Sequence, residues 1–318
     1  MDRSLLSTAC QFALAAAHLL PDNPEFSNLA GLMFRRSGDF GRAEACYPRA
    51  IILGQKQRNW VEYICGHIGT AALLYTTGVN LKRAVRHLKT AARMARKEGM
   101  LWLAGHAVHD SMLLMLERGD FEGAEAAAVR AAEMYPLHDR RFPFFVADYA
   151  LVQLMQWRFS DAHRLLKLCL DVIDQPAARG VITSMLARTA AGTGKREEYG
   201  RFSVWAREFA EKYSEHAAAA HYHLAEAARA CRAWQEAEAH ALRAREIATQ
   251  SNDRMVSRLA GDALALAKAR ALAPDRSECP PSSVNEELGR VLGIRLRRWS
   301  PDEHRGPQRT LFRNQWVA

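Results

Sequence analysis

Long apolar segments are missing from this 318-residue sequence. A membrane-spanning helix needs roughly 18 consecutive apolar residues, and no stretch approaches that length. The apolar start at residues 5–20 is interrupted by Gln11 and His18, and Asp2 offsets the charge of Arg3. A secretory signal peptide instead has a cationic start and an unbroken apolar centre. We therefore expect no membrane span and no secretion, and we predict a cytoplasmic protein.

Cysteine spacing of the kind found at metal sites is also missing. The six cysteines lie far apart and form no CxxC pair, at positions 10, 46, 65, 169, 231 and 279. His106 and His109 would share one helix face, with Asp110 beside them, but no third ligand follows nearby. The group of His216, His221 and His223 is looser still. We interpret both groups as polar surface and predict no metal and no cofactor.

Motifs of catalytic chemistry are equally scarce. The sequence has no Gly-x-Ser-x-Gly motif, which would present a nucleophilic serine on a strand-to-helix turn. Gly192-Thr193-Gly194-Lys195 lacks the preceding glycine and strand of a phosphate-binding loop, so we interpret it as a turn. These absences predict a protein that is not an enzyme.

The charge is positive but is not concentrated. Lys and Arg number 44 against 35 Asp and Glu, which gives a formal net charge of +9. Two segments combine basic and aromatic side chains, residues 140–145 and 295–299, and such segments can stack on nucleic acid bases or dock a partner. The first is better explained as a loop whose aromatics enter the core. We therefore do not predict a nucleic acid partner.

Helix-forming residues and an internal repeat are what the sequence does contain. Ala, Leu, Arg and Glu are abundant, and no segment alternates with the period of a strand, so the fold class is all-α. The phrase that runs from Gly38 to Ala45 returns from Gly119 to Ala126, and weaker copies follow. An aromatic residue or its substitute recurs every 37 to 41 residues, at positions 40, 81, 121, 159, 196 and 234. This spacing predicts stacked helical hairpins.

The repeat resembles the tetratricopeptide family. The first unit has Ala30-Gly31 and Phe34 in its first helix and Ala43, Tyr47 and Ala50 in its second, where the family has small and aromatic residues. Most units are longer than the family's usual repeat and are similar to those of bacterial regulatory members. The resemblance implies a right-handed superhelical solenoid of about six hairpins, with residues 2–20 as a leading half-repeat and 253–272 as a terminal helix.

The domain organisation follows from these limits. Residues 1–273 are predicted to form the solenoid, and residues 274–318 a Pro/Ser linker and an Arg-rich tail with one short helix at 284–292. Solenoids of this kind bind protein or peptide partners on the concave face lined by their first helices. The polar residues expected on that face are Asn28, Arg35, His106, His109, Asp110, Asp148, Ser184, Arg188, Tyr222, Glu226 and Arg229.

Three functions remain open at this point. The predicted one is a protein- or peptide-binding adaptor or sensor in which Arg35, Arg188 and Arg229 suit bidentate capture of a peptide carboxylate. A second is a ligand-sensing partner of a transcription or signalling protein encoded on another chain. A third is a scaffold that self-associates, as a homodimer through the apolar residues Leu6, Phe12, Leu14 and Leu19 of the leading helix.

Overall fold

The computed structural model describes residues 3–136, 138–213, 216–271 and 283–299. Within these ranges the regular secondary structure is entirely α-helical, and no helix there is long and apolar enough to cross a membrane. The helices are α1 (Arg3–Leu19), α2 (Pro24–Arg36), α3 (Phe40–Gln57), α4 (Trp60–Thr76), α5 (Leu81–Lys97), α6 (Leu101–Glu117), α7 (Phe121–Met134), α8 (Phe142–Met155), α9 (Phe159–Val172), α10 (Pro176–Gly192), α11 (Arg196–Lys212), α12 (Ala217–Ala230), α13 (Trp234–Gln250), α14 (Arg254–Lys268) and α15 (Ser283–Arg297).

Helices α2 to α13 form the predicted hairpins, each with an even-numbered first helix and an odd-numbered second helix that pack on each other. Helix α1 precedes the first hairpin and α14 follows the last one, as expected. The all-α repeat fold is therefore confirmed. The chain divides into two compact units, an N-terminal unit of α1–α7 and a C-terminal unit of α8–α15.

The second helices begin where the repeat predicts. Positions 40, 81, 121, 159, 196 and 234 are the first residues of α3, α5, α7, α9, α11 and α13. Two or three residues earlier, the turn of each hairpin has a residue with positive φ: Gly38, Gly78, Gly119, Trp157, Gly194 and Arg232. Three residues later, five of the six second helices have a fully buried alanine: Ala43, Ala84, Ala124, Ala162 and Ala237.

Small residues allow an aromatic ring to pack between hairpins in the N-terminal unit. Tyr47 of α3 is 1% exposed. A methyl group at Gly31 of α2 would stand 2.8 Å from its Cε1 atom, and a methyl group at Gly69 of α4 would overlap the same ring. Glycine is required at both positions because the ring occupies the space that a side chain would fill.

The helices outside the hairpins also bury apolar residues. In α1, Leu6 and Ala13 are buried, and the Cys10 thiol donates to the carbonyl oxygen of Met33 in α2. In α14, buried apolar residues join a cluster with α12 and α13. Helix α15 is longer than the predicted 284–292 helix and packs on α9 and α8. The predicted linker and the end of the tail lie largely outside the described residues.

Candidate functional site

The predicted binding residues all lie on first helices, namely α2, α6, α8, α10 and α12, but most of them are buried. Arg35 and Asp148 are half-buried, and the other nine have relative exposures of 0–7%. The structure brings most of them together in two groups, one within each unit. We call these the N-terminal polar cluster (Asn28, Arg35, Glu62, His106, His109, Asp110, Tyr135, Asp139, Arg141) and the C-terminal polar cluster (Arg188, Tyr222, His223, Glu226, Arg229).

The two histidines of α6 contact residues of the segment that connects α7 to α8. His106 Nε2 lies 3.3 Å from the Asp139 carboxylate, and His109 Nδ1 lies 2.9 Å from the Tyr135 hydroxyl. Burial lowers the pKa of His106, and Asp139 counteracts part of that change. Among the described residues no three His, Cys, Asp or Glu side chains are grouped to hold a metal ion. Both histidines therefore serve as hydrogen-bonding partners within the N-terminal unit.

The arginines and aspartates of the N-terminal polar cluster lie close to one another. Arg141 Nη2 lies 3.4 Å from Asp110 Oδ1, and its backbone N–H donates to Asp139 at 2.8 Å. Burial lowers the pKa of Arg35, but the nearby Tyr47 and Asp110 more than offset this effect. Two arginines thus face two aspartates, and Glu62 is a third carboxyl group of the cluster.

Asn28 of α2 donates a hydrogen bond to the buried carboxyl group of Glu62, which lies on α4, the first helix of the next hairpin. Its Nδ2 atom donates to the Glu62 carbonyl at 2.8 Å and to Glu62 Oε2 at 2.7 Å. Burial raises the pKa of Glu62 to about 7, since the hydrogen bond from Asn28 offsets only part of the lost hydration and the negative charge of Glu25 adds to the rise. Asn28 therefore orients Glu62 and links α2 to α4.

The C-terminal polar cluster is built around one carboxylate. Arg229 binds Glu226 in a bidentate manner, with Nε–Oε1 and Nη2–Oε2 distances of 3.0 and 2.7 Å. The Nη1 atom of Arg229 also donates to the carbonyl oxygen of Ala271 at 3.2 Å. Burial alone would raise the pKa of Glu226, but Arg188 and Arg229 lower it below the usual value. Glu226 is therefore ionised and already fully engaged.

Arg188 differs from Arg229 because its own contacts are long. Its guanidinium lies 3.4 Å from Glu226, 3.5 Å from the Tyr222 hydroxyl and 3.5 Å from His223 Nδ1. Its contact with the Met155 sulfur is 3.8 Å long, and the same sulfur lies 4.0 Å from the Tyr222 hydroxyl. Charge-assisted hydrogen bonds are normally about 2.7–2.9 Å long. The N–H groups of Arg188 and the O–H group of Tyr222 thus form only long, weak hydrogen bonds.

The net charge of the C-terminal polar cluster is positive. It contains two arginines and one ionised glutamate, and burial lowers the pKa of His223 well below its usual value, so that residue is neutral. Arg188 and Tyr222 are 4% and 6% exposed. Met155, which contacts both, is a half-buried and flexible thioether that can move aside. A carboxylate or carbonyl oxygen is the kind of acceptor that would complete these long contacts.

The other two predicted residues of the C-terminal unit lie outside its cluster. Ser184 is fully buried and donates to the carbonyl oxygen of Val181 at 2.6 Å, within its own helix. Asp148 of α8 lies close enough to Cys169 to add to the effect of burial, which raises the pKa of that thiol.

Two histidine pairs were not predicted. His67 Nδ1 lies 2.8 Å from His87 Nδ1 across the hairpin α4–α5, and His221 Nδ1 lies 3.0 Å from His240 Nδ1 across the hairpin α12–α13. Burial lowers the pKa values of His67, His221 and His240 to about 4. Each pair is neutral at physiological pH and connects the two helices of its hairpin. Nothing in the sequence near either member indicates its partner.

Comparisons with known proteins add little to this description. No protein-family profile matches the chain, and no curated protein matches its sequence. Among solved structures, it is similar to BtubC (BKLC) from P. vanneervenii, with 14% identity and a TM-score of 0.48 over 65% of this chain and 89% of that one. A circular tandem repeat protein with novel repeat topology gives 15% identity and a TM-score of 0.20 over 93% of this chain and 64% of that one. Similarities this weak carry no argument about function.

Proposed function

We propose that this chain is a non-enzymatic adaptor or sensor, built from tetratricopeptide-type hairpins, that binds a protein or peptide on its first helices. The observation that carries the proposal is the C-terminal polar cluster. Arg188 and Tyr222 are two buried donors with only long contacts in a group that has a net positive charge. Buried donors are stable only when an acceptor satisfies them, so a ligand that supplies one gains affinity there.

The ligand we favour is a peptide that presents a carboxylate. A planar guanidinium fork matches a carboxylate in geometry and charge. Of the three arginines predicted for this role, Arg229 is occupied by Glu226, and Arg35 faces Tyr47 and Asp110. Arg188 has only contacts of 3.4 Å or longer in a group with a net positive charge, so it has capacity for an anionic ligand. The buried Nε of Arg35 also has no hydrogen-bond partner among the described residues, but Asp110 already supplies a negative charge near it. The Tyr222 hydroxyl would donate to the second carboxylate oxygen or to a peptide carbonyl.

Selection from a peptide library with free carboxy termini tests this proposal. The full chain should enrich a family of related sequences, and amidation of the terminal or side-chain carboxylate should abolish their binding. Enrichment of sequences whose binding is unaffected by amidation would show that the ligand carboxylate does not bind at Arg188. Failure to enrich any sequence would contradict peptide binding itself.

A second candidate is a self-associating scaffold. Phe12 and Leu19 of α1 are 72% and 80% exposed, and they lie seven residues apart on one face of the helix. Large exposed apolar side chains on one helix face are typical of an interface. A homodimer through α1 would cover both of them, and it is compatible with peptide binding in the C-terminal unit.

The cellular setting belongs to the same proposal. The described cysteines, among them the buried Cys10, Cys65 and Cys169, are free thiols, which suits the reducing cytoplasm. A role as the sensing partner of a transcription or signalling protein on a separate chain is one form that the adaptor could take. We do not propose a nucleic acid partner.

A further inference from the structure

Helix α15 returns to the beginning of its own unit. It packs on α9 and α8, the first hairpin of the C-terminal unit, although it follows α14 at the other end of that unit in sequence. Three leucines spaced four residues apart face inward: Leu288 is 7% exposed, and Leu292 and Leu296 are 0% exposed. Such spacing places apolar side chains along one side of a helix, as in helices that bind in apolar grooves.

The surface beneath α15 combines apolar and basic contacts. Gly293 lies over Leu165 and Leu168 of α9, and Gly289 lies over Arg164 of α9 and Gln153 of α8. The Arg295 guanidinium stands 4.5 Å from the centre of the Phe142 ring, a cation–π distance. The surface of α8 and α9 thus binds α15 through its three leucines and through Arg295, which lies seven residues after Leu288.

The two glycines of α15 are not needed for its packing. A methyl group at Gly289 would meet its nearest atom at 3.7 Å, and one at Gly293 would meet Leu168 at 3.5 Å. Both distances are ordinary van der Waals contacts, so alanine fits at either position. Glycine is the poorest helix former after proline, and two of them within 15 residues weaken the helix. Helix α15 therefore binds the surface beneath it less tightly than the same helix would with alanine at positions 289 and 293.

We propose that the face of α8 and α9 beneath α15 is a helix-binding surface for a partner helix with three leucines at four-residue spacing and an arginine. Helix α15 occupies this surface in cis, and the partner helix displaces it. The inference does not rest on peptide binding by Arg188, because the two surfaces share no residue.

The test uses the full chain and a fluorescent peptide of residues 283–299 as the probe. The release variant Leu292→Asp/Leu296→Asp exposes the surface and should bind the peptide at least about tenfold more tightly than the wild type. The tightened variant Gly289→Ala/Gly293→Ala should bind it about tenfold more weakly than the wild type, because both substitutions favour the docked helix. Ile294→Asp, on the exposed side of α15, is the matched control and should behave as the wild type.

Equal affinity of the release variant and the Ile294→Asp control would overturn the proposal. A peptide that itself carries the two aspartates must fail to bind the release variant. Hydrogen exchange of the α15 amides provides a second measurement that does not depend on how well the release variant folds. Exchange should be about tenfold slower in the tightened variant than in the wild type, and equal rates would also contradict the proposal.

Discussion

Two buried glutamates on first helices ionise in opposite ways because their partners differ. Glu226 faces two arginines, which lower its pKa despite burial. Glu62 is paired with the neutral amide of Asn28 and lies near the like charge of Glu25, so burial raises its pKa to about 7. Both are buried glutamates on first helices, Glu62 on α4 and Glu226 on α12. The charge of the neighbouring side chain therefore decides which glutamate costs stability at neutral pH.

Replacement of Glu62 by glutamine should stabilise the protein at alkaline pH. The raised pKa means that the folded state binds a proton which the unfolded state releases, so stability falls as pH rises from about 4.5 to 7. Glutamine can accept the same hydrogen bond from Asn28 without a charge. We expect Glu62→Gln to raise the free energy of unfolding by about 2 kcal/mol at pH 8 and by less at pH 5. Urea unfolding at the two pH values measures this.

Glu226→Gln is the control for that substitution. It removes the carboxylate from two buried arginines and should destabilise the protein at both pH values, by about 3 kcal/mol. A Glu62→Gln variant that is less stable than the wild type at pH 8 would show that the Glu62 carboxylate has a stabilising partner.

At the scale of elements, the repeat positions were predictable because they carry local signals. The start of most second helices follows from an aromatic residue, a turn and a small residue at fixed offsets, all within one hairpin, whereas α5 and α11 begin with Leu81 and Arg196 and carry weaker copies of the pattern. The position of Tyr47 against Gly31 was predictable for the same reason. Here local preference and tertiary packing agree, so periodicity alone locates the elements.

Contacts between distant segments could not be predicted in this way. The sequence identified His106, His109 and Asp110 as polar residues of a first helix, but their partners Tyr135, Asp139 and Arg141 lie beyond the next helix. The docking of α15 on α8 and α9 depends on a surface more than a hundred residues earlier in the chain. No local pattern specifies such pairs. The sequence therefore predicted these residues in an open groove, whereas contacts with distant segments leave most of them buried.

The hairpin turns allow a direct test of whether local backbone preference stabilises each hairpin. Gly119 and Arg232 occupy equivalent turns with φ of 72° and 61°. Left-handed backbone costs a residue with a side chain roughly 1 kcal/mol. Gly119→Ala should therefore lower the free energy of unfolding by about 1 kcal/mol, whereas Arg232→Gly should raise it by about 0.5 kcal/mol after the entropic cost of glycine is included.

Urea unfolding of both variants separates the turn effect from a general effect of glycine. Gly200→Ala, at an open position inside α11, is the matched control and should stabilise the protein through helix propensity. Shifts of the same sign for Gly119→Ala and Arg232→Gly would contradict the role of the turn conformation.

At the scale of the whole molecule, the two units differ in the charge of their polar clusters. The N-terminal polar cluster has two arginines, two aspartates and the carboxyl group of Glu62, whereas the C-terminal polar cluster has two arginines and one glutamate. The exposed apolar face of α1 belongs to the first unit, and the weakly satisfied donors belong to the second. We therefore propose that self-association belongs to the N-terminal unit and ligand binding to the C-terminal unit.

Light scattering tests the assignment of self-association. If α1 forms a homodimer interface, the wild type should have twice the 35.7 kDa mass of one chain. The Phe12→Ser/Leu19→Ser variant should then have the mass of one chain, because the apolar face that drives association is lost. Leu266→Ser, which changes a 40% exposed leucine of α14, is the control and should remain a dimer. A monomeric wild type at micromolar concentration would contradict the scaffold function.

The most direct measurement is calorimetric titration of a library-selected peptide into the wild type and Arg188→Gln. The account predicts a loss of affinity of roughly tenfold to a hundredfold, which corresponds to one charge-assisted hydrogen bond. It also predicts no change for Arg245→Gln, an exposed arginine on α13 of the same unit. If Arg188→Gln bound the peptide as tightly as the wild type, the C-terminal polar cluster would be a structural network and the proposed ligand site would be wrong.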